Sequence, residues 1–250
     1  MNRNVDVLWL SISPSLKCFD QRLLATLTQC APIRRWDYCQ TLDEPCSLEA
    51  VVAALHEYLC QATTPPRKVH LLGHGVSGVV ALMYTRQHPE NVASLTLLSV
   101  GALPAVNWQA HYYALRRLLP CSREMVLAQM TRLLFGQQPC RLTKAIAQLL
   151  SQDLDNHLTL HSLAHHTKIS PGGVEVPLLV CSGEFDAIVS FQQQQAWYDW
   201  MKPGDRLWVC PQGHHFFQFH HFEAVADAIA QHWQTLSTGS QITFTPHPKR

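Results

Sequence analysis

Long hydrophobic runs are missing from this chain of 250 residues. No stretch approaches the roughly 18 consecutive apolar residues of a membrane-spanning helix, so no membrane span is expected. The apolar segment from Val7 to Leu10 is too short for a secretory h-region, and no A-x-A-like cleavage site follows it. Runs of one charge are missing too. With 19 Lys+Arg against 18 Asp+Glu the formal net charge is +1, and no basic stretch is long enough to track phosphates, which argues against a nucleic acid partner. The nine cysteines (Cys18, Cys30, Cys39, Cys46, Cys60, Cys121, Cys140, Cys181 and Cys210) form no C-x-x-C pair and are odd in number. Several of them read as plain core residues. Without an export signal, reduced thiols in a cytoplasmic protein are the expectation.

What the chain does have is core. Its hydrophobic content of 47% against 15% charged residues belongs to a packed globular protein, and its length suits one undivided α/β domain. Short apolar runs at residues 5–10, 33–38, 69–72, 94–100, 176–181 and 206–210 read as strands. Helical periodicity falls between them. Ser47 is placed to cap a helix whose apolar stripe is Leu48, Val51, Val52, Leu55 and Leu59. From Asn107 to Lys168 helical periodicity dominates. The sequence therefore predicts an α/β fold: a mostly parallel twisted sheet of about six strands flanked by helices, with a helical cap inserted after the fourth strand. Residues 1–105 and 172–236 are expected to form the core, 106–171 the cap, and 237–250 a frayed tail. A cap there would cover the carboxyl edge of the sheet, where ligands of open α/β sheets bind.

The informative segment is Val69-His70-Leu71-Leu72-Gly73-His74-Gly75-Val76-Ser77-Gly78, a strand running into a helix through a glycine-rich turn. It resembles the nucleophile elbow of the α/β-hydrolase superfamily, G-x-S-x-G, with Gly75 at the position of the serine. Cys181-Ser182-Gly183-Glu184-Phe185-Asp186 is similar to the segment whose Asp orients the catalytic histidine, and Gly213-His214 to the segment that supplies that histidine. The order Gly75, Asp186, His214 is the family's order, and the resemblance runs from Val5 to Thr235. It implies a hydrolase fold whose acyl-enzyme route is closed, because Gly75 has no hydroxyl. Asp186 and His214 are then either a general-base dyad or a relic pair.

The family's loop after the first strand usually reads His-Gly. Here it is Leu10-Ser11-Ile12-Ser13-Pro14. Backbone N–H groups of Val76 and Ser13 are the candidate oxyanion donors. Ser11, Ile12, His74, Trp108 and Tyr112 are the candidate pocket residues. Other hydroxyls near the sheet edge, Ser77, Ser99 and Ser182, are alternative nucleophiles but read more simply as helix or turn residues. No metal or cofactor is implied. Asp153, His157, His161 and His165 recur every four residues, as zinc ligands on a helix can, but a solvent-facing polar stripe is the simpler reading. Gln192–Gln195 likewise reads as a solvated face. His215, His220 and His221 read as pocket rim or surface. Three functions stay open: a pseudo-hydrolase that binds a small apolar molecule or a protein partner, an enzyme with a non-standard nucleophile or activated water, and a scaffold whose cap is a docking surface. This superfold hosts many functions.

Overall fold

A computed structural model describes residues 6–39, 47–62, 68–104, 107–156 and 169–239. Six strands, β1 (Asp6–Ser11), β2 (Ile33–Asp37), β3 (Val69–His74), β4 (Val92–Leu98), β5 (Leu178–Gly183) and β6 (Arg206–Cys210), form one sheet in the order β2-β1-β3-β4-β5-β6. Every pairing in it is parallel.

The inner strands β1, β3, β4 and β5 read as nearly continuous apolar runs because both faces are covered, whereas the edge strands β2 and β6 stay partly exposed. Alternate side chains of β1 show this directly. Leu8 and Leu10 enter a core with α2 (Leu48–Ala62) and α3 (Gly75–Gln87), whereas Val7 and Trp9 enter a second core with α1 (Gln21–Leu27) and α9 (Phe222–Gly239). In β5, Leu178 and Val180 divide from Leu179 and Cys181 in the same way. Ser47 accepts from the Ala50 N–H at 3.0 Å and so starts α2 as its sequence predicts. Helix α9 continues to Gly239, three residues into the stretch expected to fray.

Between β4 and β5 the described residues form three helices, α4 (Trp108–Leu118), α5 (Arg123–Phe135) and α6 (Cys140–Asn156). They share a third core, in which Trp108, Tyr112, Met130 and Leu150 pack with Leu16 and Phe19 from the turn after β1 and with Phe216. Asn107 and Ser122 cap α4 and α5, accepting from Ala110 N–H at 2.8 Å and Met125 N–H at 3.3 Å. The short helices α7 (Phe191–Gln195) and α8 (Phe217–His220) flank the loops after β5 and β6.

The solvent-facing reading of Asp153 is wrong. It is fully buried in the helical layer, and Gln109 Nε2 donates to its Oδ2 at 3.3 Å. The i, i+4 spacing gave the helix face but not which way that face turned. His157, His161 and His165 lie outside the described residues.

Candidate active site

Strand β3 ends and α3 begins without a linker, so the chain must turn sharply at Gly75. Its φ of +53° lies in the left-handed region, where a side chain costs about 1–3 kcal/mol and glycine costs nothing steric. The crossing is also tight. A Cβ on Gly73 would come within 2.7 Å of the Gly78 nitrogen, so the strand and helix backbones touch there.

A Cβ on Gly75 would meet nothing closer than His215 Nε2, at 4.0 Å. His215 Nδ1 in turn lies 3.1 and 3.0 Å from the two oxygens of Asp186, with both side chains buried. Asp186 Oδ1 also accepts from the Ile188 and Val189 N–H groups, at 2.8 and 3.0 Å. Burial alone would raise the Asp186 pKa. His215 and the two amides outweigh it and hold the carboxyl below its ordinary value. The carboxylate fixes the imidazole with Nδ1–H toward Asp186, which leaves Nε2 as the free acceptor facing Gly75.

The partner of Asp186 is therefore His215 and not His214. The turn after β6 closes through Gly213 N–H to Cys210 O at 3.1 Å, and Phe185 N–H donates to Gly213 O at 2.7 Å. Outside regular structure, successive side chains leave in different directions, and here the second of two adjacent histidines turns inward. His214 turns outward instead. Its ring approaches Phe185, and its Nε2 lies 2.5 Å from where a Cβ of Gly136 would be. Choosing between two adjacent histidines needs the path of the turn, which a G-H match does not carry.

Two further groups hold the His215 backbone. His74 Nε2–H and Ser99 Oγ–H both donate to its carbonyl, at 2.9 and 2.7 Å. Burial, followed by the nearby His215, drives the His74 pKa down to about 3, so His74 is neutral and a fixed donor. Ser99, at φ +51°, is a positioning residue in this arrangement. Ser77 is committed elsewhere: its Oγ accepts from the Ile12 N–H at 3.1 Å, tying the loop after β1 to α3. Ser182 is fully buried and its hydroxyl has no partner among the described residues. Gln194 is not solvated as expected. It is buried, and its amide nitrogen donates to the Gly183 and Val189 carbonyls, both at 2.9 Å, which braces the loop carrying Asp186.

Above Gly75 is a cavity of about 40 Å3. At roughly 10–15 Å3 per water this is room for about three water-sized groups. Of the candidate pocket residues, Ser11, His74 and Trp108 line it, as do the candidate oxyanion residues Ser13 and Val76, with His215 and Phe216. Ile12 and Tyr112 do not. Ile12 packs into the core beneath α3, and Tyr112 into the helical layer one turn beyond Trp108. Three polar lining residues escaped the sequence reading: Asp20, Asn107 and Gln109. Asp20 accepts from Gln218 Nε2 at 3.1 Å. Burial, only partly offset by that bond, pushes its pKa up to about 7. Burial likewise raises Asp153, to about 6. Nothing in the wording Cys-Phe-Asp-Gln marks Asp20 beforehand.

Residues 20–228 match the α/β hydrolase family, a range that takes in strands β2 to β6, the elbow and the His215–Asp186 pair. The chain belongs to the α/β hydrolase family. An uncharacterized protein of Synechocystis sp. is 45% identical over 230 residues, 92% of this chain and 90% of that one. An uncharacterized protein of Nostoc sp. is 41% identical over 234 residues, 94% of this chain and 92% of the other. Among solved structures, a thermophilic esterase superposes with a TM-score of 0.73 at 18% identity, covering 94% of this chain and 91% of its own. The 2-hydroxy-6-oxo-6-phenylhexa-2,4-dienoate hydrolase of Rhodococcus sp. gives 0.72 at 14% identity, with 93% and 91% covered. Likeness at this identity speaks for the shared α/β-hydrolase fold alone. Among the described residues, no group of three or more His, Cys, Asp or Glu side chains is placed to hold a metal ion. No described helix is long and apolar enough to cross a membrane.

Proposed function

We propose that the chain is a catalytically impaired α/β hydrolase, a pseudo-hydrolase that binds a ligand or protein partner and forms no acyl-enzyme. The observation that carries this is the direction of the missing side chain at Gly75, aimed at His215 Nε2 from 4.0 Å. In this reading Gly75 stands where the family keeps its nucleophile, and the base has nothing to deprotonate. Ser77 and Ser99 do not replace it, since neither hydroxyl is bonded to His215 Nε2: Ser77 Oγ accepts from the Ile12 N–H, and Ser99 Oγ–H is given to the His215 carbonyl. The Val76 N–H, at the start of α3, remains as an oxyanion donor, with Ser13 on the facing loop. A cavity near 40 Å3 is far below the roughly 300–1,000 Å3 of a drug-sized site. In this reading what meets the dyad is a water or a small head group rather than the small apolar molecule, one of the two kinds of partner that the sequence left open.

A second reading is favoured by the same cavity. A base nitrogen facing water-sized space can activate water directly, giving a hydrolase or a cofactor-free base catalyst without a covalent step. Turnover separates the two. Purified wild type and His215→Ala are assayed with short nitrophenyl esters across pH 5–9. The pseudo-hydrolase reading expects no enzymatic turnover by either. Wild-type turnover that His215→Ala abolishes would establish the activated-water reading in its place.

A further inference from the structure

The corner between α4 and α5 is the most exposed apolar point of the described helical layer. Residues 116–120, Arg-Arg-Leu-Leu-Pro, are all exposed. Leu118 stands 76% exposed, Leu119 41%, and Met125 in the first turn of α5 63%. Single exposed leucines are ordinary on a protein surface, but a contiguous apolar tip with a cationic rim marks an interaction site. The tip is held in shape: Arg116 Nη1 donates to Cys121 O at 2.8 Å across the corner.

An open groove of about 530 Å3 adjoins this tip, between the outer faces of α5 and α6. Its floor is apolar, from Met125, Leu127, Ala128 and Ala147, and its ends carry Arg123 and Lys144. Arg123 is paired with Asp155 at 2.7 Å, and Glu124 is the other exposed acid nearby. The described residues from Asn107 to Asn156 hold six cations (Arg116, Arg117, Arg123, Arg132, Arg141, Lys144) against two exposed carboxylates, Glu124 and Asp155. Of these, Arg116 and Arg117 directly precede the bare leucines, and Lys144 lines the groove. Lysine and arginine stems can lie along acyl chains while their heads reach the headgroups.

From this juxtaposition we propose that the α4–α5 corner docks on an anionic lipid bilayer, with Leu118, Leu119 and Met125 entering the headgroup boundary. Arg116, Arg117 and Lys144 face the lipid phosphates, and the groove lies open to an acyl chain. The attachment is peripheral: burial of a few side chains plus attraction to anionic lipid gives reversible binding that depends on lipid composition. It stands independently of whether the dyad is catalytic.

The test is flotation of the purified chain with vesicles of phosphatidylcholine alone or with added phosphatidylglycerol, at low and high salt. Binding is expected only with phosphatidylglycerol, weakening as salt rises. The double variant Leu118→Asp/Leu119→Asp is expected to lose it, with the fold intact because neither side chain belongs to the buried core. Arg117→Gln/Lys144→Gln should weaken binding roughly 30-fold at low salt, about 5-fold for each cation removed. His215→Ala should bind like wild type. Three results would each overturn the proposal: no binding to phosphatidylglycerol vesicles, equal binding to both compositions, or undiminished binding by the leucine variant. A tip that instead buries itself against a second copy would show as a dimer, dispersed by the leucine variant, with no vesicle binding.

Discussion

Replacing Gly75 with serine asks whether the base still has a place for a hydroxyl. A Cβ at this position lies 4.0 Å from His215 Nε2. An oxygen one bond further can therefore fall within the ~2.6–3.2 Å reach of a nucleophile and its base. Nothing else stands within that distance of the added atom, so the cost is conformational. At φ +53° a non-glycine residue costs about 1–3 kcal/mol. In a domain of this size that lowers Tm by about 2–4 °C per kcal/mol. Gly75→Ala carries the same backbone cost without the hydroxyl and serves as the control. The assay is labelling by a fluorophosphonate, read by intact mass. Wild type and Gly75→Ala are expected to stay unlabelled and Gly75→Ser to label. Adding His215→Ala should slow that labelling by about 10²–10⁴, the usual contribution of a general base. The reasoning fails if folded Gly75→Ser does not label, because the dyad is then not aimed as the geometry requires. It fails equally if wild type labels at another serine.

Three more outcomes follow from the same structure. A Cβ on Gly136 (φ +75°) would lie 2.5 Å from His214 Nε2, so Gly136→Ala should destabilise by more than the ~1–3 kcal/mol of backbone strain alone. Adding His214→Ala should recover the excess in a double-mutant cycle by urea unfolding, and simple additivity would exclude the contact. Asp20 has a folded pKa raised to about 7 against an unfolded value near 4. The folded state thus keeps a proton that the unfolded chain has released, and stability falls as pH rises through that window. Asp20→Asn should be more stable than wild type at pH 8, with the gap closing toward pH 4 in thermal melts. His232 is buried with both ring nitrogens unpartnered among the described residues, and burial followed by Arg206 lowers its pKa to about 4. The unfolded chain protonates first, so this contribution to stability is lost as pH falls from about 6.5 to about 4. His232→Leu should flatten that acid limb, and an unchanged limb would clear His232 of the role.

The sequence by itself determined the alternation of apolar runs and helical periods, because two-sided burial of a parallel strand and one-sided burial of a helix write different periods into the chain. It also determined the elbow, since Gly73, Gly75 and Gly78 answer to a close crossing and a positive φ that leave few other residues possible. Asp186 could be read through the resemblance of Gly183-Glu184-Phe185-Asp186 to the family's segment after this strand. What only tertiary structure decided was direction. Between His214 and His215 the choice rests on the turn closed by Gly213. Asp153 is buried because α6 turns that face toward Gln109, and a helical period is the same whichever way it faces. Asp20 joins the cavity because the turn after β1 folds back beneath Trp108, a contact between segments nearly ninety positions apart that no local pattern records. Local chemistry thus spelled out the elements and the strained turn, whereas the meeting of distant side chains, His215 with Asp186 and Asp20 with the cavity, was settled by packing.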